Sequence, residues 1–134
     1  MGILALDFDG VVCDSMREVV VVATQAYLRL EPDAGVVRDL AQRGEDDTRF
    51  RHFRRLVPLG NRAEDFGIAL AALQKSITID DQDDYDHYRR SFDPAWIDTY
   101  HKVFYRCRRE LLEASPERWL ALHRPFTSFI ELLE

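Results

Sequence analysis

The chain reads Ile3-Leu-Ala-Leu-Asp-Phe-Asp-Gly-Val-Val-Cys-Asp-Ser15 near its N-terminus, and this stretch decides the fold that we expect. An apolar run without polar alternation is typical of a strand buried on both faces, as in a parallel sheet, although a piece of buried helix has the same pattern. Gly10 and the two valines after it disfavour a helix. The run therefore predicts a core strand over residues 3–8 that ends at two carboxylates, Asp7 and Asp9.

These two carboxylates are separated by a single residue. Side chains two positions apart on an extended strand share one face, and open α/β sheets bind ligands beyond the carboxyl ends of their strands. Paired carboxylate oxygens suit Mg²⁺, and a carboxylate can also attack phosphorus to form an acyl phosphate. For an Asp-x-Asp pair taken alone, a solvated turn after a strand is the alternative interpretation.

The complete string Asp-x-Asp-Gly-Val-x-x-Asp-Ser, residues 7–15, resembles motif I of the haloacid dehalogenase (HAD) superfamily. The resemblance is to the branch with phosphoglycolate phosphatase-like and β-phosphoglucomutase-like members. It implies an α/β fold that consists of a Rossmann-like core with a helical C1 cap. These 134 residues would be the mainly α part of that fold, with one N-terminal core strand. The implied divisions are the strand and motif I loop at 1–15, the cap at 16–124 and a return helix into the core at 125–134.

The same resemblance assigns roles to the acidic residues. Asp7 is the implied nucleophile that forms an aspartyl-phosphate, and Asp9 is the implied general acid/base. Mg²⁺ is the implied cofactor, held by the Asp7 carboxylate and the Asp9 backbone carbonyl. Dehalogenases of the superfamily lack an acid at the second position, so the resemblance favours phosphoryl transfer from a small phosphorylated metabolite, by a phosphatase or a mutase. Asp14 and Ser15 match the start of the cap and are interpreted as structural.

The later motifs of the family, which supply a Ser or Thr, a Lys and further acids, have no match here. Thr127 and Ser128 begin a predicted helix instead of following a strand, and Lys75 and Lys102 lie in the cap region. We therefore interpret the chain as truncated before motifs II–IV and expect it to turn over poorly or not at all by itself. Self-association through the unpaired core strand is expected. The alternative is a non-catalytic helical interaction module that keeps a relic of motif I.

Apolar residues at helical spacing predict helices through most of the remaining sequence. Ser15 and Glu18 form a capping-box pattern ahead of a helix over residues 16–30. Asp93-Pro94 and Ser115-Pro116 each combine an N-cap residue with a proline suited to the first helical position. Three further apolar stripes are predicted: Phe50, Phe53 and Val57; Phe66, Leu70, Leu73 and Ile77; and Trp96 to Leu111. A last helix is predicted at 127–134, and loops are predicted near 31–35, 57–62 and 78–93.

Three arginines of one predicted helix, Arg51, Arg54 and Arg55, are candidate ligands for a phosphorylated substrate. Guanidinium groups bind phosphate and carboxylate through paired hydrogen bonds. The alternative is an exposed helical face whose arginines pair with the acids at 45–47. The acidic run at 80–86 lacks the glycine and glutamate of an EF-hand loop and is predicted to be a solvated loop.

Length and composition narrow the class of protein. A chain of 134 residues fits one domain, and 46% hydrophobic with 31% charged residues is typical of a globular protein. The net charge of −6 disfavours nucleic-acid binding, because an acidic surface repels phosphate backbones. Two cysteines are too few for a disulfide scaffold, so we expect a cytoplasmic location. We expect no membrane segment and no signal peptide, since no apolar run approaches the ~20 residues of a membrane helix.

Overall fold

Seven α-helices form most of residues 13–125, the part of the chain that the computed structural model describes. Two 3₁₀ turns, Gly44–Asp46 and Val57–Leu59, flank the third helix, and a pair of two-residue strands joins the ends. The elements in chain order are β1 Cys13–Asp14, α1 Met16–Leu30, α2 Gly35–Arg43, α3 Thr48–Leu56, α4 Ala63–Gln74, α5 Gln82–Arg90, α6 Pro94–Ala114, α7 Pro116–Ala121 and β2 Arg124–Pro125. The described chain is thus mainly helical, as predicted.

Helix α4 lies at the centre of the helical body. Its residues 63–72 are all buried, which is the expected position for a helix that is apolar nearly all round. Helices α1 and α6 pack against each other, and both contact α4. The buried residues of α6 are Tyr100, Phe104, Cys107 and Leu111, which confirms the predicted apolar stripe.

A glycine and a tyrosine bring the three central helices together. A Cβ atom on Gly67 would lie 2.8 Å from ring carbons of Tyr100, so the glycine allows α6 to approach α4 closely. The Tyr100 hydroxyl then donates a hydrogen bond of 2.9 Å to the carbonyl oxygen of Ala23 in α1. This buried hydroxyl therefore has a partner, and it links α6 to α1.

The start of α1 agrees with the prediction in its bounds but not in its capping. Ser15 is the N-cap, but its side chain makes no capping hydrogen bond. The Met16 amide donates instead to Oδ1 of Asp14 at 3.0 Å. The predicted capping box is wrong because the Glu18 carboxylate points into the body and binds Arg108. By contrast, Asp93 caps α6 as predicted, accepting a hydrogen bond from the Ala95 amide.

The acidic run at 80–86, predicted to be a loop, instead begins helix α5. Asp81 is its N-cap and accepts a hydrogen bond of 2.9 Å from the Asp84 amide. Acidic side chains in the first turn and basic ones in the last favour a helix through its dipole. One buried residue, Tyr85, anchors α5 to the body. The solvated-loop prediction is therefore wrong over most of this run.

Two further boundaries differ from the prediction. Helix α2 begins at Gly35, within a region that the sequence marked as a loop. Helix α4 ends at Gln74, and Ile77 beyond it is 42% exposed, so the predicted stripe stops one turn early. Ser76 has a φ of 55°, a left-handed conformation that ends the helix here.

The two ends of the helical region lie side by side. Strand β1 pairs antiparallel with β2, with Cys13 opposite Pro125 and Asp14 opposite Arg124. The predicted core strand at 3–8, with Asp7 and Asp9, lies outside the described residues, as does the predicted helix at 127–134. Within residues 13–125 no helix is both long enough and apolar enough to cross a membrane.

Candidate functional site

A cavity of about 860 Å³ opens where the chain enters its first helix. Asp14 and Ser15, the last residues of the motif-I-like string, are in its wall. The rest of the lining comes from the start of α1, the end of α3, the turn and loop between α3 and α4, the start of α4 and the middle of α6. The cavity therefore lies at the C-terminal end of the motif-I-like string.

Of the three predicted arginines, Arg54 is the one in this wall. Its Nη2 atom lies 2.9 Å from Oδ2 of Asp14, and the two side chains are 53% and 22% exposed. This ion pair ties α3 to the residues before α1. Arg55 lines a different cavity, and Arg51 is exposed on α3 outside this wall. The structure thus brings one of the three predicted substrate ligands to the site.

The alternative interpretation of these arginines was a face paired with the acids at 45–47. Glu45 pairs instead with Arg17 and Arg124, at 3.5 and 3.2 Å. Asp47 is the N-cap of α3 and binds Arg49 through two side-chain hydrogen bonds of 2.8 Å. The three predicted arginines are therefore exposed, as that interpretation predicts, but they do not pair with the acids at 45–47.

One arginine of the cavity wall, Arg108, is bound to a buried carboxylate. Arg108 of α6 donates two hydrogen bonds, of 2.7 and 2.8 Å, to the Glu18 carboxylate of α1. The Trp119 indole N–H donates a third, at 3.2 Å. The guanidinium also lies 4.8 Å from the centre of the Phe104 ring, a cation–π distance. These contacts satisfy a carboxylate that is almost completely buried.

A second carboxylate, Glu64, lies in the wall from the α4 side. Its Oε2 is 2.9 Å from Nδ1 of His101, and its Oε1 is 3.7 Å from Nη2 of Arg89. Burial has the largest single effect and raises the pKa of the Glu64 carboxyl, but the hydrogen bond with His101, a backbone hydrogen bond and the charges of His101 and Arg89 together lower that pKa below its usual 4.5. Glu64 is therefore ionised at neutral pH, and it places a negative charge beside the imidazole.

The guanidinium of Arg62, just before α4, is the most available cation of the wall. Its backbone N–H donates to Asp65 at 3.1 Å, but its guanidinium takes part in none of the ion pairs found between residues 13 and 125. Asp65 is already bound by Tyr85 and Arg89. Burial, followed by the Asp65 carboxylate, raises the pKa of the Tyr85 phenol far above its usual range.

Three arginines line the wall, Arg54, Arg62 and Arg108, and the side chains of Phe66 and Phe104 provide an apolar floor. Arg54 and Arg108 are paired with Asp14 and Glu18, so Arg62 is the guanidinium of this wall that is available to an anion. Sequence reasoning missed Arg62 and Arg108. Arg108 lies one turn after Phe104 in the apolar stripe of α6, which was the available signal, whereas no pattern singled out Arg62.

The predicted metal site rests on residues outside this region. Across residues 13–125 no group of three or more His, Cys, Asp or Glu side chains is placed to hold a metal ion. Asp7 and Asp9 lie before the described segment, so the Mg²⁺ prediction depends on the chemistry of that donor pair alone. Two carboxylates separated by one residue of the sequence offer hard oxygen donors of the type that Mg²⁺ prefers.

Comparisons of the chain with protein-family models, with curated proteins and with solved structures found no match.

Proposed function

We propose that the protein is an HAD-like, Mg²⁺-dependent phosphohydrolase that acts on a small phosphorylated metabolite through an aspartyl-phosphate. One observation carries the proposal. The string that contains Asp7 and Asp9 runs directly into the wall of a cavity lined by Arg54, Arg62 and Arg108. Guanidinium groups in such a wall suit a substrate with phosphate or carboxylate oxygens.

The chemistry follows from the two acids. The Asp7 carboxylate attacks phosphorus and forms an acyl phosphate while the bond to the substrate oxygen breaks, and Asp9 donates a proton to that oxygen. Asp9 then takes a proton from water, which attacks the phosphorus and releases Asp7 and inorganic phosphate. The Asp7 carboxylate and the Asp9 carbonyl would hold Mg²⁺, which supplies neutralisation of the phosphoryl charge.

The pairing of β1 with β2 supports the division into core and cap. Asp14 and Arg124 are opposite each other, so residues between them leave and return at one place. A helical cap inserted into a core domain needs such neighbouring connections. The cavity beside this junction would then lie between cap and core, where a substrate could reach both the acids and the arginines.

A helical interaction module is the second candidate function. The observation that favours it is the exposure of large apolar side chains near the end of the helical body, Leu112 at 41% and Leu120 at 58%. Exposed apolar surface of this kind marks binding sites for other proteins when it is contiguous. A module of this kind would not depend on Asp7 or on Mg²⁺.

A phosphate-release assay on the protein expressed from the reading frame that contains these residues tests the proposal. With Mg²⁺ and a panel of phosphorylated metabolites, we expect turnover and a hydroxylamine-labile phosphoenzyme, both lost in Asp7→Asn. Asp9→Asn should slow leaving-group protonation by about 10²–10⁴-fold, less so with p-nitrophenol as the leaving group. Asp33→Asn, an exposed aspartate outside the site, is the control. Equal rates for wild type and Asp7→Asn would contradict the mechanism.

The arginine assignment has its own matched pair of variants. Arg54→Gln should raise KM several-fold because Arg54 lies in the cavity wall. Arg51→Gln changes an exposed arginine of the same helix outside that wall and should leave KM unchanged. Equal effects of the two substitutions on KM would remove Arg54 from the binding site.

A further inference from the structure

A second cavity, of about 270 Å³, shares no residue with the one described above. Four aromatic side chains line it: Tyr27 of α1, Tyr88 of α5, Phe92 of the connection between α5 and α6, and Trp96 of α6. The Phe92 ring centre is 5.1 Å from that of Tyr88 and 5.1 Å from that of Trp96, and Tyr27 is 6.2 Å from Trp96. Their planes are inclined at 84°, 48° and 68°, so neighbouring rings pack edge-on or tilted against one another along the cavity wall. We call these four residues the aromatic box.

The surroundings of the aromatic box are electronegative. Three helices end at its wall, with Glu31 as the C-cap of α1, Lys75 as that of α4 and Ser91 as that of α5. The carbonyl ends of helices carry partial negative charge. Two carboxylates, Glu31 and Asp93, add full negative charges to the lining. Asp93 also caps the N-terminus of α6, accepting a 3.0 Å hydrogen bond from the Ala95 amide, which offsets the positive end of that helix.

The charged and polar groups of the box point to a cationic ligand. Among residues 13–125 the one cation placed over an aromatic ring is Arg108, in the other cavity, and Lys75 is exposed at the rim. The buried Tyr88 hydroxyl has no hydrogen-bond partner among the residues that the structure describes. Burial, with a further contribution from the Glu31 charge, raises the pKa of Tyr27 to about 12, so this phenol remains neutral. The negative charge near the rings is thus that of the two carboxylates.

We propose that the aromatic box binds an organic ammonium cation, in the form of a quaternary or methylated amine. Aromatic rings such as those of this lining attract a cation through the negative charge of their π systems, and the methyl groups of such a cation also fill apolar space. A bare metal ion is disfavoured, since the described residues offer no cluster of three or more metal-binding side chains. The ligand chemistry has two sources, a free small molecule such as choline or a methylated lysine side chain on another protein.

Calorimetric titration of the full chain tests the charge requirement. Choline should bind saturably with a Kd of about 1 mM or below. The neutral isostere 3,3-dimethylbutan-1-ol replaces the ammonium nitrogen by carbon and should bind at least about ten-fold more weakly. The proposal would be overturned if choline and the neutral isostere bound equally well, or if choline did not bind at concentrations about ten-fold above the expected Kd. A short peptide that contains trimethyllysine, with the unmethylated lysine peptide as its control, distinguishes the two sources. If the trimethyllysine peptide binds more tightly than choline, the site is assigned to proteins; if choline binds more tightly, it is assigned to small molecules.

Matched variants locate the binding in the aromatic box. Phe92→Leu removes one ring and should weaken choline binding by about ten-fold. Glu31→Gln keeps the shape of an exposed C-cap residue and should weaken it several-fold by removing a charge. Tyr105→Leu and Glu113→Gln change an aromatic and an acidic residue outside the box and should leave the affinity unchanged. Circular dichroism melts show whether each variant is folded. If Glu31→Gln is folded and binds choline as wild type does, the electrostatic part of the proposal fails.

Discussion

Replacement of Arg108 by methionine would leave a carboxylate charge buried without its partner. Glu18 is only 1% exposed, and it accepts two hydrogen bonds from the arginine, at 2.7 and 2.8 Å. The Trp119 indole N–H, at 3.2 Å, also donates to the carboxylate, but a neutral donor cannot balance a full negative charge. The methionine would retain the packing of the arginine stem, so the loss would be chiefly electrostatic.

The size of the effect follows from the burial of the pair. Removing one partner of a buried ion pair costs about 3–5 kcal/mol. The Arg108 side chain is 28% exposed, which allows some water to reach the carboxylate and places the loss near the lower limit, about 3 kcal/mol. For a chain of 134 residues this corresponds to a fall in Tm of about 10 °C.

Urea unfolding followed by circular dichroism measures the loss directly. Arg109→Met, on the exposed neighbour, is the matched control and should change the free energy of unfolding by less than about 0.5 kcal/mol. The double variant Glu18→Leu/Arg108→Met removes both charges and should be more stable than Arg108→Met alone, because apolar replacements of a buried pair are often neutral. If the single variant is as stable as wild type, or less harmful than the double, the buried-charge reasoning is refuted.

Three further predictions concern packing, pH and association. Gly67→Ala should destabilise by about 1–3 kcal/mol in urea unfolding, since its Cβ would lie 2.8 Å from the Tyr100 ring. Gly35→Ala, whose Cβ meets nothing within 4 Å, should be neutral or stabilising. Hydrogen bonds from Arg49 hold the pKa of Asp47 below its usual 3.8, so the stability advantage of wild type over Asp47→Asn should be present at neutral pH and shrink as pH falls through 3.8 and below. Self-association through the predicted N-terminal strand should make the mass measured by sedimentation rise with protein concentration; a monomer at every concentration contradicts that prediction.

Patterns among residues that are close in the sequence were sufficient to predict several helices. Asp93 and Pro94 predict the start of α6, and the apolar spacing from Trp96 to Leu111 predicts its buried face. The bounds of α1, Met16–Leu30, follow in the same way from an apolar run that ends before Pro32. Such signals succeed because capping and amphipathic spacing depend on residues within about one or two turns.

Helix α5 shows where local composition misleads. Its acidic run predicts a solvated loop, but Tyr85 and Arg89 both contact Asp65 of α4. These contacts join residues 20 and 24 positions apart, and they hold a helix whose own sequence is strongly polar. Tertiary packing thus outweighs a weak intrinsic preference, which a single short stretch of sequence does not reveal.

The sequence by itself determined the mainly helical character of residues 16–121, the apolar face of α6 and the hypothesis that Asp7 and Asp9 form a catalytic pair. Only the tertiary structure decided which arginines reach the cavity and that Glu18 is an ion-pair partner rather than a helix cap. Glu18 and Arg108 are 90 residues apart. Contacts of that kind form because α1 and α6 pack side by side, and the approach of two helices depends on the shapes of all the side chains between them, not on any local pattern.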